Sequence, residues 1–265
     1  MKFINFIKNR FNTKRQTGLY LTIGVVLASS LIYAFLNLVE DLFDASDLLI
    51  FDKHILNIIE ALRAPILNKI MLFITYLGNS EIVIIPFLIV LTILIILRKW
   101  RYFYSLLISF IGGEIFVYIT KNVIGRQRPS VINALTLEKD FSFPSGHSYI
   151  AIAFYGLVIY FIFKILKNKV LKYLALSIGI ILILALGFSR LYLGVHWPSD
   201  VLASFASSAA LLTMIITFLE IKDKFRPVIR VIPEKTKKTV LIVSSILFSL
   251  WIIYLIIFYL NNPLK

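Results

Sequence analysis

Arg98-Lys99-Trp100-Arg101, followed by YFYSLLISFIGGEIFVYIT over residues 102–120 and then Lys121, is the stretch on which the fold turns. Between the two polar ends the only charge is Glu114. A run of this length and apolarity matches the ~20 helical residues that cross a hydrocarbon core. It leaves a basic cluster at one end and a single lysine at the other. Comparable runs lie at about Thr17 to Val39, Glu81 to Leu97, Ser148 to Phe163, Tyr173 to Phe188, Val201 to Leu219 and Val240 to Leu260. The chain is 59% hydrophobic and only 16% charged, where soluble domains carry about 25% charged residues. The expected fold is therefore all-α, a polytopic transmembrane helical bundle.

Charge placement orients the bundle. Residues 1–16, 98–101, 164–172 and 220–238 hold 19 of the 28 lysines and arginines. Short basic loops stay cytoplasmic, so seven crossings place these segments and the N-terminus inside and the C-terminal tail outside. The apolar run at 17–39 is too long for a cleaved leader and lacks a small-residue cleavage site, which predicts a retained first helix. Residues 66–78 are apolar but short and end at Gly78-Asn79, which predicts an interfacial or half-buried helix. An acid-rich loop is expected over Glu40 to Ala64, and His54 within it reads as a surface residue. The expected domain organisation is a membrane-embedded unit over 1–220, a basic cytoplasmic linker over 221–238, and an added transmembrane helix and tail over 239–265. The first unit supplies a six-helix core and the last helix is appended to it.

The net charge of +14 does not imply nucleic acid, because the basic residues cluster between apolar segments where they set orientation. The absence of cysteine excludes disulfides, thiol catalysis and Cys-ligated zinc.

Three polar interruptions fall on the same outer side. Lys121 ends an outward helix and is followed by Arg128-Pro129. Pro144-Ser145-Gly146-His147 opens an inward helix. Ser189-Arg190 ends another outward helix, and His196 precedes Trp197-Pro198 and then Asp200. Taken singly, Lys121 and Arg190 also fit as snorkelling anchors, and Ser145 as a simple helix cap. Together with Arg128 they form a phosphate clamp, in which Arg offers a planar fork and Lys a point charge. The free N–H groups at a helix start bind anions; Ser145 adds a hydroxyl and Gly146 permits close approach. Asp200, four residues after His196, is spaced to take one ring N–H and leave the other nitrogen as a nucleophile. His147 is placed to act as general acid. Glu114, two turns before Lys121, either pairs with a buried cation or lines the pocket, and the structural pairing is favoured.

These spacings, Lys121-x6-Arg128-Pro129, Pro144-Ser145-Gly146-His147 and Ser189-Arg190-x5-His196-x3-Asp200, resemble the three-part signature of the type 2 phosphatidic acid phosphatase family, with every position filled in order. The resemblance points to its bacterial membrane branch, which includes phosphatidylglycerophosphatases and undecaprenyl diphosphatases. It implies that His196 attacks phosphorus to give a phosphohistidine, that Asp200 orients it, and that His147 protonates the leaving group. It implies phosphate binding by Lys121, Arg128, Ser145, Gly146 and Arg190, with no metal and no cofactor.

The expected function is hydrolysis of a lipid phosphate monoester or diphosphate at the extracytoplasmic face of the cell membrane. Undecaprenyl diphosphate, phosphatidylglycerophosphate and phosphatidate are the substrate candidates. The bilayer and its lipid are the expected partners; nucleic acid is not, and no protein partner is legible. A phosphotransferase is the nearer rival, because an alcohol can also open a phosphohistidine. A transporter would gather its charges at the midplane, and the haloperoxidases that share these motifs are soluble, unlike this chain.

Overall fold

The computed structural model describes residues 17–44, 46–129, 134–225 and 233–262. The basic segment 1–16 and residues 226–232 of the linker lie outside them. The described residues are helical apart from the connections: α1 (Thr17–Asp44), α2 (Ser46–Ala61), α3 (Pro65–Tyr76), α4 (Ser80–Ile96), α5 (Trp100–Ile124), α6 (Gly146–Ile165), α7 (Lys169–Tyr192), α8 (Pro198–Phe225) and α9 (Glu234–Asn261), with a long connection between α5 and α6. Six of these are long and apolar enough to cross a membrane, and α3 with α4 forms a seventh candidate bent by 47°. The chain is a multi-pass membrane protein. The bend falls at Leu77-Gly78-Asn79, where α3 has run out and Asn79 caps α4 by accepting from Glu81 N at 2.8 Å.

The expected acidic loop is a correction: α1 runs on to Asp44 and α2 occupies Ser46–Ala61. Asp52, Leu56 and Ile59 are all buried, and their i, i+4, i+7 spacing makes them one stripe of a helix. The acids on the other faces mask that stripe in the sequence. His54 is exposed, as expected.

In lipid the helices associate through close packing rather than expulsion of water, and the contacts are of that kind. Phe87 of α4 stacks on Phe110 of α5 with ring centroids 4.2 Å apart, and Phe154 of α6 meets both edge-on. Around them Val83, Leu106 and Leu157 are fully buried. Helices α1 and α8 form the most extensive pair, in which Gly24 admits the Thr217 side chain so closely that any Cβ would collide with it. Helix α9 docks on α4: Trp251 and Leu255 pack on Ile82, and Trp251 Nε1 donates to Ile82 O at 3.0 Å.

Helix ends fix where the polar groups come to rest. Gly125, at φ 64°, ends α5 in the left-handed conformation, its N–H returning to Lys121 O at 2.9 Å. Glycine adopts that backbone without penalty, and the chain turns sharply, carrying Arg126 and Arg128 back over the bundle end. Ser145 caps α6, and Pro198 opens α8 at a position where a missing N–H costs nothing.

Candidate active site

The C-terminal ends of α5 and α7 and the N-terminal ends of α6 and α8 converge. His196, in the connection before α8, is buried. Its Nδ1 faces Asp200 Oδ2 at 3.3 Å, and its Nε2 faces Arg128 Nη1 at 3.1 Å. A guanidinium can only donate, so Nε2 accepts and the ring proton belongs on Nδ1. Burial pushes the His196 imidazole well below the usual histidine range, and the nearby charges of Arg128, Arg190 and Lys121 push the same way. The ring is therefore neutral, with a lone pair directed at a cluster of cations.

That cluster is held by one short segment between α5 and α6. Lys121 Nζ donates to Asp140 Oδ2 at 2.5 Å and to Phe141 O at 2.7 Å. Arg128 reaches the Asp140 carboxylate as well, and donates through Nε to Asp140 O at 2.8 Å and through Nη1 to Val195 O at 2.6 Å. Arg190, almost wholly buried, donates to Thr75 Oγ1 at 2.7 Å and pairs with Glu138. Its Nε is buried with no partner among the described residues. Burial raises the Asp140 carboxyl, but its bond to Lys121 and the Lys121 and Arg128 charges outweigh that, and it stands below the usual carboxylate range.

Ser145 is fully buried, accepts from Ser148 N at 3.4 Å and shares a 2.9 Å hydroxyl contact with Ser148 Oγ. Gly146 begins α6 with room beside it, since a Cβ there would meet only Val117 at 3.6 Å. His147 lies within electrostatic reach of Arg190, Lys121 and Arg128, and its ring has no hydrogen-bond partner among the described residues. Gly78, at the α3–α4 bend, backs it closely: a Cβ there would stand 3.1 Å from His147 Cδ2. The structure thus gathers every residue singled out from the motifs.

Glu114 is a correction. Among the described residues its carboxylate meets Ser80 Oγ at 3.2 Å and forms no ion pair with a cation, because Lys121, two turns on, is taken by Asp140.

Besides Glu138 and Asp140, two further groups escaped the sequence reading. Arg126 donates through Nη1 to Asp200 Oδ1 at 2.5 Å and to Ser199 Oγ at 2.7 Å, and through Nη2 to Asp52 Oδ2 at 2.6 Å. Asp52, fully buried, accepts from Ser199 N at 2.9 Å and from Ser199 Oγ at 2.5 Å. The available signal was a carboxylate on the buried stripe of α2.

Apolar surface adjoins the cluster. A groove of about 400 Å³ between α1, α5 and α8 is lined by Phe35, Phe116, Tyr149 and Leu211 among others, and Phe35 stacks on Phe143 at 6.2 Å. A larger groove of about 640 Å³ lies at the opposite end of the bundle, beside Lys99 and Lys164, and touches none of these residues. Among the described residues no group of three or more His, Asp or Glu side chains is placed to hold a metal ion.

Known proteins resemble this chain in sequence and in fold. The PAP2 superfamily matches residues 98–224. Phosphatidylglycerophosphatase B of Bacillus subtilis (strain 168) is 34% identical over 174 residues, covering 62% of this chain and 81% of that protein. An undecaprenyl-diphosphatase of Sulfolobus acidocaldarius is 30% identical over 193 residues, covering 71% of this chain and 85% of its own length. The crystal structure of a transmembrane PAP2-type phosphatidylglycerolphosphate phosphatase from Bacillus subtilis superposes with a TM-score of 0.68 at 30% identity, covering 77% of this chain and 98% of that one.

Proposed function

This chain belongs to the PAP2 superfamily and is a lipid phosphate hydrolase, and on that premise we propose that it hydrolyses a phosphate monoester or diphosphate of a membrane lipid at the extracytoplasmic face, through a phosphohistidine at His196. The observation that carries this reading is the meeting of a neutral, Asp200-backed imidazole with three fixed cations. Phosphoryl transfer needs little beyond an in-line nucleophile and neutralised oxygens.

Phosphate oxygens compete with the carboxylates of Glu138 and Asp140 for Lys121, Arg128 and Arg190, and the Nε of Arg190, unpartnered among the described residues, gains an acceptor. Ser145 and the N–H groups at the start of α6, beginning at Gly146, complete the cradle. The Nε2 lone pair of His196 forms the P–N bond as the bond from phosphorus to the lipid oxygen breaks. His147 gives that oxygen its proton, and the phosphate's own charge favours the imidazolium that donates it. Water then gives a proton back to His147 and attacks phosphorus; the P–N bond breaks and inorganic phosphate leaves. No metal ion takes part in this route.

The names of the relatives make phosphatidylglycerophosphate and undecaprenyl diphosphate the leading substrates, with phosphatidate third. The groove beside Phe116 and Tyr149 offers an apolar path for the lipid chain. The extracytoplasmic position rests on the basic loops 98–101 and 164–172 at the far end of the bundle. The test is phosphate release from these lipids by the purified chain in detergent with excess chelator. Turnover that His196→Ala abolishes is expected. Product formed only when an acceptor alcohol is supplied would favour a transferase instead.

A further inference from the structure

We propose that Asp52 and Arg126 are positioning residues for the reaction, holding Asp200 so that it can hold His196; the inference rests on the phosphohistidine reading above. The two oxygens of Asp200 have divided duties. Oδ2 faces His196 Nδ1 at 3.3 Å and accepts Trp197 N–H at 2.9 Å, while Oδ1 is taken by Arg126 at 2.5 Å. The carboxylate cannot rotate without losing a bond at one oxygen. Arg126 is itself fixed at its other nitrogen by Asp52, 2.6 Å away on α2. The guanidinium lies 5.5 Å from the Trp197 ring, whose Nε1 donates to Gln127 O at 2.9 Å. Ser199, between Asp52 and Arg126, closes the frame with both side chains and with its own N–H.

These side chains are 13% and 0% exposed for Arg126 and Asp52, and a buried charge without a partner is costly. Two carboxylates sharing one guanidinium leave a net negative charge behind His196, the sign that offsets the positive charge the imidazole acquires as the P–N bond forms. Only a planar fork reaches both acids at once; a lysine ammonium is a single point. Among the described residues the side-chain hydrogen bonds of both end on Ser199, Asp200 and each other, so neither belongs to the phosphate clamp.

The test uses the full chain in detergent with dioctanoyl phosphatidate. It measures kcat and KM, the inhibition constant of inorganic phosphate and the thermal midpoint, for Asp52→Asn, Arg126→Lys, Arg126→Met and His196→Ala. Positioning predicts that Asp52→Asn and Arg126→Lys lose about 10- to 100-fold in kcat, the scale for removing an outer hydrogen-bond partner of a held histidine. KM and phosphate inhibition should stay within about twofold, and Arg126→Lys should retain more activity than Arg126→Met. Asparagine is nearly isosteric with aspartate and keeps an acceptor for Ser199 N–H, so it carries the test where Arg126→Met fails to fold. A lower thermal midpoint with unchanged kcat in the folded fraction assigns a structural role and overturns the inference. Wild-type kcat in Asp52→Asn and Arg126→Lys beside an inactive His196→Ala overturns it alone, whereas an active His196→Ala overturns the phosphohistidine reading with it.

Discussion

Arg128 Nη1 stands 3.1 Å from His196 Nε2, on the opposite edge of the ring from Asp200. An arginine that only donates and a carboxylate that only accepts together select one neutral tautomer, with the proton on Nδ1 and the lone pair on Nε2. In the proposed mechanism the attacking nitrogen, Nε2, is thus the one that already faces the cations expected to bind phosphate.

This arrangement has a pH consequence. Burial strips hydration from an imidazolium, and Arg128, Arg190 and Lys121 repel a proton, so both effects lower the His196 pKa. As pH falls through the usual histidine value of about 6.5, folded His196 stays neutral while the unfolded chain takes up a proton. Stability therefore declines from about pH 6.5 downward until the folded pKa is passed. Histidine ¹⁵N shifts at pH 6 should show His196 neutral with Nδ1 protonated; an imidazolium pattern would contradict the assignment.

In the proposed mechanism Asp140, which pairs with Lys121 and Arg128, competes with substrate for both. Its side chain is 55% exposed, so the pairing is screened and worth about 1 kcal/mol at most. Asp140→Asn should strengthen inhibition by inorganic phosphate by up to about fivefold on that scale, with kcat little changed. Weaker inhibition would mean that the carboxylate helps to build the phosphate cradle rather than occupy it.

The membrane helices were legible because lipid demands long apolar runs, and the convergence of the candidate site residues because they sit where those runs end. Lys121, Ser145, Arg190 and Asp200 need only alternating helix directions to meet. Asp52 and Arg126 depend on tertiary placement instead. Asp52 is one acid among Asp41, Asp44, Asp47 and Glu60, and nothing but its spacing to Leu56 and Ile59 marks it as buried. Arg126 lies inside the unspecified interval between Lys121 and Arg128, and its direction is set by the left-handed turn at Gly125. The carboxylates of Glu138 and Asp140 were equally silent, since neither spacing nor periodicity foretells which cation a connecting segment will meet.

Gly78 provides a packing test of His147. A methyl group there would meet His147 Cδ2 at 3.1 Å and Leu186 Cδ2 at 3.2 Å, so these neighbours must yield by a few tenths of an ångström. His147 has no hydrogen bond within the described residues to resist, and it should move first. Gly78→Ala should lower kcat by up to about tenfold through that displacement, with a stability loss below about 1 kcal/mol. Unchanged kcat would show that His147 does not need this position.

Arg190 tests shape against charge. Its guanidinium spans Thr75 and Glu138 and keeps Nε for another acceptor, a geometry that an ammonium cannot copy. Arg190→Lys should reduce kcat/KM by about 10²-fold, as when one fixed donor to a developing negative charge is lost. Activity within about twofold of wild type would reduce Arg190 to a source of field alone.

The central claim is the covalent intermediate on His196. Acid-free rapid quench of the enzyme with ³²P-labelled lipid phosphate, followed by peptide mapping, should find acid-labile, alkali-stable label on the peptide containing His196 and none in His196→Ala. Label on another residue, or full turnover in His196→Ala, would contradict the account.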